Sequence, residues 1–127
     1  MKIALITGAS QGIGSAIAQE LNQKKIKVIL IARSKVKLKK IQTSLKFPKN
    51  SMIISKDLRS LSACNSIGDK IKKLNYLINV AGATKGGSFL NLKDNVWDDG
   101  FNLKFKAAVR LSRNFLMVLL KKTIYQR

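Results

Sequence analysis

The segment Thr7-Gly8-Ala9-Ser10-Gln11-Gly12-Ile13-Gly14 connects a short apolar run to a stretch whose apolar residues have helical spacing. The apolar run, residues 2–7, is predicted to be a strand buried on both faces. Ile13, Ile17 and Leu21 follow at four-residue intervals, which predicts one apolar stripe of a helix. A glycine-rich turn in this position is typical of pyrophosphate binding, because the helix N-terminus offers free N–H groups to the phosphates.

The three glycines of this turn have different expected roles. Gly8 permits the tight turn, Gly12 allows the phosphates to approach the backbone, and Gly14 allows close packing of the helix on the strand. The alternative is a strand-to-helix turn that needs glycine only for its dihedral angles. The strand before it and the helix after it favour dinucleotide binding. Thr7 and Ser10 either hold the turn or contact the cofactor.

Composition indicates an ordinary globular domain. The chain has 127 residues, 46% apolar and 24% charged, and single domains usually run to about 100–200 residues. No segment reaches the ~20 apolar residues of a spanning helix, so no membrane span is predicted. With Cys64 as the only cysteine and no histidine, a zinc site is not expected. One cysteine also fits a reducing compartment, which predicts a cytoplasmic location.

The net charge of +19 is unusual and would attract nucleic acid, anionic membranes or phosphorylated ligands. A solvated, lysine-rich surface is the favoured interpretation, because charge runs usually form solvated faces. The lysine pairs are spread along the chain, at residues 24–25, 39–40, 72–73 and 121–122. No zinc knuckle or basic arm accompanies them, so no specific nucleic-acid partner is predicted.

Strands and helices alternate along the rest of the chain. Further strands are predicted at residues 26–32, 52–55 and 76–80, and a glycine-rich loop at residues 81–88. Ser34 is a plausible N-cap for a helix that Pro48 ends. That helix should turn Leu38, Ile41 and Leu45 inward, and the next should turn inward Leu61, Cys64, Ile67, Ile71 and Leu74.

One long helix is predicted over residues 94–121. Its apolar stripe advances in steps of three or four and comprises Trp97, Phe101, Phe105, Ala108, Leu111, Phe115 and Leu119. The alternation of elements predicts an α/β fold, a doubly wound parallel sheet with helices on both faces. Right-handed crossovers give the strand order 3-2-1-4.

The spacing Thr-Gly-x-x-x-Gly-x-Gly resembles that of the short-chain dehydrogenase/reductases, and three further landmarks follow in order over essentially the whole chain. Asn79-Val80-Ala81-Gly82 resembles the family's Asn-Asn-Ala-Gly motif, with Val80 in place of the second Asn. Asp57-Leu58 resembles the acidic pair that contacts the adenine, and Asn102 the helix asparagine of the catalytic tetrad. The resemblance implies the Rossmann fold of that family.

The resemblance also implies roles for these positions. Asp57 would accept the adenine amino hydrogens, and Asn79 and Gly82 would lie in the crevice where the strand order reverses. Asn79 could instead tie adjacent strand ends, a task that the replacement at Val80 weakens. Asn102 would distort its helix and free a carbonyl for a water of the proton relay. The expected cofactor-binding residues are Gly8, Ser10, Gln11, Gly12, Ile13, Gly14, Arg33, Ser34, Asp57, Leu58, Asn79, Ala81 and Gly82.

The end of the second strand carries Arg33-Ser34 and no acidic residue until Asp57. An acidic residue here binds the ribose 2′-hydroxyl of NAD, whereas an arginine accommodates the 2′-phosphate of NADP. The alternative is a surface arginine in a very basic chain. The sequence therefore predicts NADP(H) as the preferred cofactor, with NAD(H) as the alternative.

The family's catalytic Ser, Tyr and Lys, the Lys four residues after the Tyr, have no counterpart in this sequence. Tyr125 lies two residues from the end, and the residue four after Tyr76 is Val80. Residues 1–127 are therefore expected to form an NAD(P)-binding domain that stops before the Tyr-x-x-x-Lys region, catalytically silent alone. The completed protein would move hydride between NADP(H) and a small carbonyl or alcohol, as a homo-oligomer. The alternatives are a non-catalytic nucleotide-binding or interaction module and a basic nucleic-acid-binding protein.

Overall fold

Four parallel strands form one sheet in the order β3-β2-β1-β4, as the sequence predicts. The computed structural model describes residues 1–82 and 86–125. The strands are β1 Ile3–Thr7, β2 Lys27–Ala32, β3 Ser51–Ser55 and β4 Tyr76–Ile78. The glycine-rich loop predicted at residues 81–88 falls partly outside the described residues, at 83–85.

Helices occupy the segments between the strands. They are α1 Gly12–Gln23, α2 Lys35–Ser44, α3 Leu61–Lys70, α4 Asp94–Phe101 and α5 Ala107–Tyr125. A short 3₁₀ turn, Pro48–Asn50, precedes β3, and a π-helical turn, Asn102–Lys106, joins α4 to α5. In the described part of the chain, none of these helices combines the length and apolarity that membrane crossing needs.

Two of the helices have serine N-caps. Ser34 is the N-cap of α2, as predicted, and its hydroxyl accepts a hydrogen bond from the Lys37 N–H at 3.2 Å. Ser60 caps α3 in the same way, accepting from the Ala63 N–H at 3.3 Å. The prediction that Pro48 ends α2 is wrong, because α2 already ends at Ser44 and Pro48 begins the 3₁₀ turn.

Two apolar cores lie on opposite faces of the sheet, because successive strand residues point to opposite sides. One face, with Ile6, Val28 and Leu30, packs against α1 and α2. The other face packs against α3 and α5, whose Cys64, Ile67, Leu111 and Phe115 are fully or almost fully buried. Ile71 and Leu74 are buried as predicted, although α3 ends at Lys70 before both.

The long helix predicted over residues 94–121 is present as one continuous helical segment, residues 94–125, but a π-helical turn at Asn102–Lys106 interrupts its α-helical hydrogen bonding. The Ala107 N–H bonds the carbonyl of Asn102, five residues earlier instead of four. Such a turn holds one extra residue, so it rotates the apolar stripe between α4 and α5. Of the predicted stripe, Leu111 and Phe115 of α5 are fully buried, and Ala108 and Leu119 partly so. Trp97, Phe101 and Phe105 are 41%, 57% and 63% exposed.

The strand β4 forms one edge of the sheet. It ends at Ile78 rather than at residue 80, so it is shorter than predicted, and Tyr76 at its start is 40% exposed. Asn75 fixes the start of this strand, because its side-chain oxygen accepts from the Ile3 N–H at 2.9 Å. The Asn75 N–H donates in return to the Ile3 carbonyl at 2.9 Å.

Candidate functional site

A cleft of about 440 Å³ lies at the carboxyl ends of the parallel strands. It is formed by the glycine turn, the ends of β2 and β3, the start of α2 and the residues after β4. Most of the predicted site residues line it: Gly8, Ser10, Gln11, Gly12, Ile13, Arg33, Ser34, Leu58, Ala81 and Gly82. Ligands of open α/β sheets bind at this edge, where the strand order reverses.

The three glycines of the turn differ in what surrounds them. Gly8 and Gly12 have φ angles of +63° and +56°, which side-chain-bearing residues rarely adopt. A β-carbon at Gly8 would lie 2.8 Å from the Ala81 nitrogen, and one at Gly14 would lie 2.1 Å from the Gly8 carbonyl oxygen. A β-carbon at Gly12 would meet nothing within 4 Å. The chain is thus closely packed at Gly8 and Gly14, and Gly12 borders open space in the cleft.

The N-terminus of α1 faces this cleft without a side-chain cap. Gln11 is its N-cap residue but makes no capping hydrogen bond, and the first turn holds no acidic residue. The N–H groups of a first turn have no acceptor within the helix, and they carry the positive end of its dipole. The sequence places Ile13 both in the apolar stripe of α1 and among the residues expected to bind the cofactor, and its side chain is 72% exposed and lines the cleft. The turn therefore has the space and the free donors that fit a pyrophosphate.

Thr7 has a structural role. Its hydroxyl oxygen accepts hydrogen bonds from the Val80 and Ala81 N–H groups, both at 3.0 Å, and the residue is only 2% exposed. It thereby ties the segment after β4 to the end of β1, a connection that the replacement at Val80 put in question. Of the two alternatives for Thr7, the geometry favours holding the chain over contacting a cofactor. Ser10 does line the cleft.

Cations surround the end of the cleft at β2 and β3. Arg33 lines it, and its carbonyl oxygen accepts a hydrogen bond from the Ser55 hydroxyl at 2.6 Å. Lys37 and Lys56 also line it, and neither was predicted from the sequence. The signals were present, because Lys37 lies in the first turn after the Ser34 cap and Lys56 directly follows a strand. The chain contains so many lysines that these two do not stand out in the sequence.

Asp57 does not line the cleft, although Leu58 beside it does. Its carboxylate accepts from the Arg59 side chain at 3.0 Å for Nε and 2.7 Å for Nη2, and from the Arg59 backbone N–H at 3.1 Å. The hydrogen bonds from Arg59 hold the pKa of the Asp57 carboxyl below its usual value, against a partial loss of hydration. Arg59 also binds Asp99 of α4, Nη1 to Oδ2 at 3.0 Å.

Three further predicted positions, Gly14, Asn79 and Asn102, lie away from the lining of the cleft. Gly14 is buried beneath the turn, and Asn79 is exposed beside the open edge of β4.

Asn102 begins the π-helical turn, so the helix distortion expected there is present. The carbonyl of Asn102 itself is not free, because it accepts a hydrogen bond from the Ala107 N–H. The next residue, Leu103, lines the cleft. The Lys104 side chain covers Gly82, its Cγ 3.0 Å from a β-carbon placed there.

The described residues offer neither a metal centre nor an activated thiol. No group of three or more His, Cys, Asp or Glu side chains could hold an ion among residues 1–82 and 86–125. Cys64 is buried and its thiol makes a long contact of 3.5 Å with the Leu58 carbonyl. Burial raises the pKa of this thiol, which disfavours the reactive thiolate. Cys64 therefore belongs to the core.

Comparison with protein families and with curated sequences points to the same group of oxidoreductases. The family model described as short chain dehydrogenase matches residues 2–124. The 3-oxoacyl-(acyl-carrier-protein) reductase FabG of Rickettsia typhi is 36% identical over 121 residues, 95% of this chain and 49% of that protein. The 2,3-dihydro-2,3-dihydroxybenzoate dehydrogenase of Bacillus subtilis is 31% identical over 118 residues, 89% of this chain and 45% of that protein. The chain spans about half the length of these curated relatives.

Solved structures agree with this comparison. A metagenomic short-chain oxidoreductase in complex with NADP superposes with a TM-score of 0.90 at 28% identity, over 95% of this chain and 57% of that one. The L-sorbose reductase from Gluconobacter frateurii, solved with NADPH and L-sorbose, gives a TM-score of 0.87 at 26% identity, over 95% and 48%. With the match of the family model over residues 2–124, these likenesses identify the chain as a member of the short-chain dehydrogenase family.

Proposed function

We propose that this chain is the cofactor-binding half of an NAD(P)-dependent oxidoreductase acting on CH–OH groups and the corresponding carbonyls. The observation that carries the proposal is the cleft, in which an open glycine turn and an uncapped helix N-terminus meet at the carboxyl ends of the strands. The relatives support it, because their names describe a reductase and a dehydrogenase. The bound nicotinamide would supply or accept the hydride.

Each part of the cleft suits one part of a dinucleotide. The pyrophosphate would lie against Gly12 and the first N–H groups of α1, where a β-carbon would meet nothing. The adenosine would extend over Leu58 toward the end of β2. The nicotinamide half would lie beside Ala81 and Gly82 at the centre of the sheet. Asp57 would accept hydrogen bonds from the adenine amino group and from Arg59 at the same time, because a carboxylate has about four acceptor sites.

We infer a preference for NADP(H) over NAD(H) from the charges at the end of β2. Arg33 lines the cleft there, Ser34 follows it, and no lining residue in the described part of the chain is acidic. An arginine can donate two parallel hydrogen bonds to a phosphate. The neighbours solved with NADP and NADPH support the choice, as proteins that bind the phosphorylated cofactor.

Among residues 1–82 and 86–125, no tyrosine lines the cleft to act as proton donor for the reaction. Asn102 is the one position that resembles the family's tetrad, and it lies outside the lining of the cleft. Tyr76 begins β4, at the amino end of the sheet, where its ring lies 5.9 Å from the Lys2 ammonium. A non-catalytic nucleotide-binding module is the second candidate.

The proposal extends to the state of the completed protein. We infer a homo-oligomer because α4 and the π-helical turn expose Trp97, Phe101 and Phe105, an apolar area that water disfavours. We infer a cytoplasmic location from the single, unpaired Cys64, which suits a reducing compartment. The substrate would be a small carbonyl or alcohol compound.

A salt series distinguishes the proposed function from binding of nucleic acid through the +19 charge. The purified chain is titrated with NADPH and with a generic DNA duplex at increasing salt. We expect saturable NADPH binding whose affinity falls slowly with salt. The affinity for the duplex should fall steeply, because the release of condensed counterions from DNA becomes less favourable as salt increases. Equally steep loss for both ligands, or duplex binding alone, would refute the proposed function.

A further inference from the structure

We propose that Lys56, at the end of β3, is a specificity-determining residue that holds the 2′-phosphate of the cofactor together with Arg33. Lys37 completes the cluster from the first turn of α2. The inference rests on the proposed function, because it places these cations around one end of the same cleft. It adds a second strand to phosphate recognition, which the sequence assigns to Arg33 and Ser34 alone.

The sheet register places the two cations side by side. Ala32 of β2 pairs with Ser55 of β3, so Arg33 and Lys56 each stand one residue beyond this pair. The Lys56 N–H donates to the Ala32 carbonyl at 3.1 Å, and the Ser55 hydroxyl donates to the Arg33 carbonyl. Neighbouring strands lie about 4.8 Å apart, and a phosphate has three acceptor oxygens. One phosphate can therefore accept from both side chains.

No salt bridge of the described residues neutralises the cluster, although Arg33 lies close enough to Asp57 for its charge to help lower the pKa of that carboxyl. Arg33, Lys37 and Lys56 are exposed, and none belongs to a salt bridge within residues 1–82 and 86–125. Lys37 lies in the first turn of α2, which contains no acidic residue, and a cation is unfavourable at the positive end of a helix dipole. The three charges thus repel one another, and a bound phosphate would relieve the repulsion.

The nearest carboxylate is already neutralised. Asp57 directly follows Lys56, and its negative charge would oppose a phosphate. Arg59 takes both oxygens of this carboxylate, with Nε at 3.0 Å from Oδ1 and 3.2 Å from Oδ2. The charge of Asp57 is therefore compensated mainly by its salt bridge with Arg59, and Arg33, Lys37 and Lys56 stay available to an incoming anion.

The test compares Lys56→Met with Lys40→Met, which removes an exposed lysine of α2 that does not line the cleft. Affinities for NADPH, NADH and adenosine 2′,5′-bisphosphate are measured calorimetrically on the full chain. We expect Lys56→Met to weaken NADPH and the bisphosphate about tenfold or more, and NADH less than twofold. Lys40→Met should change all three less than twofold, and Lys56→Arg should retain NADPH affinity.

A second readout separates phosphate binding from a structural role. Without ligand, Lys56→Met should unfold at the same temperature as the native chain or a higher one, because it removes repulsion. Equal weakening of NADPH and NADH, an unchanged affinity for the bisphosphate, or an equal effect of Lys40→Met would overturn the inference and leave the proposed function standing. A folded native chain that binds none of the three ligands would refute both.

Discussion

A β-carbon on Gly14 would lie 2.1 Å from the carbonyl oxygen of Gly8, so the first turn of α1 rests directly on the backbone of the glycine turn. The contact is between two main-chain segments, and no flexible side chain can move aside. It fixes the helix N-terminus relative to the end of β1, and hence the direction in which its free N–H groups point. The geometry of the cleft therefore depends on the absence of one methyl group.

Gly14→Ala should destabilise the chain by about 3 kcal/mol, the upper end of what an added methyl group costs in a packed site. The reason is that either α1 or the turn must shift by the width of an atom. Urea unfolding followed by circular dichroism measures the change. Gly86→Ala is the matched control, because a β-carbon there meets nothing within 4 Å. A Gly14→Ala chain as stable as the control would show that the contact is not tight.

Arg33→Asp should weaken NADP(H) far more than NAD(H), because a charge-assisted pair becomes a repulsion. A lost hydrogen bond to a charged group is worth roughly 1.5–3 kcal/mol, or about one to two powers of ten in affinity. Calorimetric titration with both cofactors measures the difference. Lys40→Asp, the same change of charge outside the cleft, is the control. An equal loss for both cofactors would return Arg33 to the solvated surface.

The Asp57–Arg59 pair should contribute to the acid sensitivity of folding. Arg59 lowers the pKa of the Asp57 carboxyl in the folded chain, so the pair stabilises the fold above the unfolded pKa, about 3.9. That contribution is lost as the pH falls through the lowered, folded pKa. Urea midpoints measured from neutral pH downward should therefore fall less steeply in acid for Arg59→Met than for the native chain. The effect should be small, because both side chains are about one-third or more exposed.

Arg113→Met is the control for this measurement, since it removes an exposed cation of α5 that forms none of the ion pairs of the described residues. Its urea midpoint should follow the native pH dependence. If Arg59→Met also retained the native acid dependence, the bond to Asp57 would carry no stability.

The 127-residue chain should bind the cofactor but should not reduce carbonyl compounds. Hydride transfer to a carbonyl needs a proton donor within hydrogen-bond reach, and no tyrosine of the described cleft provides one. NADPH absorbance followed with a panel of ketones and aldehydes checks this expectation. Consumption of NADPH coupled to alcohol formation, retained after removal of trace enzymes, would contradict the assignment of a cofactor-binding half.

The sequence predicts the strand order and the main lining of the cleft, because both depend on local signals. The Ser34 cap is a hydroxyl that precedes a run with helical spacing, and the turn glycines are set by steric limits on φ. Positions whose surroundings come from distant parts of the chain are harder to predict. Trp97 and Phe101 share the helical spacing of Phe115, but spacing does not show which residues become buried.

The same limit applies within the site. Ile13 has the interval of an apolar stripe, but its 72% exposed side chain lines the cleft, which fits its place among the residues expected to bind the cofactor. Lys56 has only a weak local signal, its position directly after a strand. It becomes notable only when the register of β2 and β3 places it beside Arg33. Asn102 lies at a helix distortion as expected, but the π-helical turn directs Leu103, the next residue, to the cleft.

Gly12→Val should abolish dinucleotide binding if the glycine turn holds the pyrophosphate. Gly12 has a φ angle of +56° and open space around it, so a side chain there enters the cleft at a conformational cost of about 1–2 kcal/mol. The measurement is NADPH affinity of native and Gly12→Val chains that have the same circular dichroism spectrum. We expect saturable binding by the native chain and none by the variant. Equal affinity in a folded Gly12→Val chain would contradict the placement of the pyrophosphate at the glycine turn.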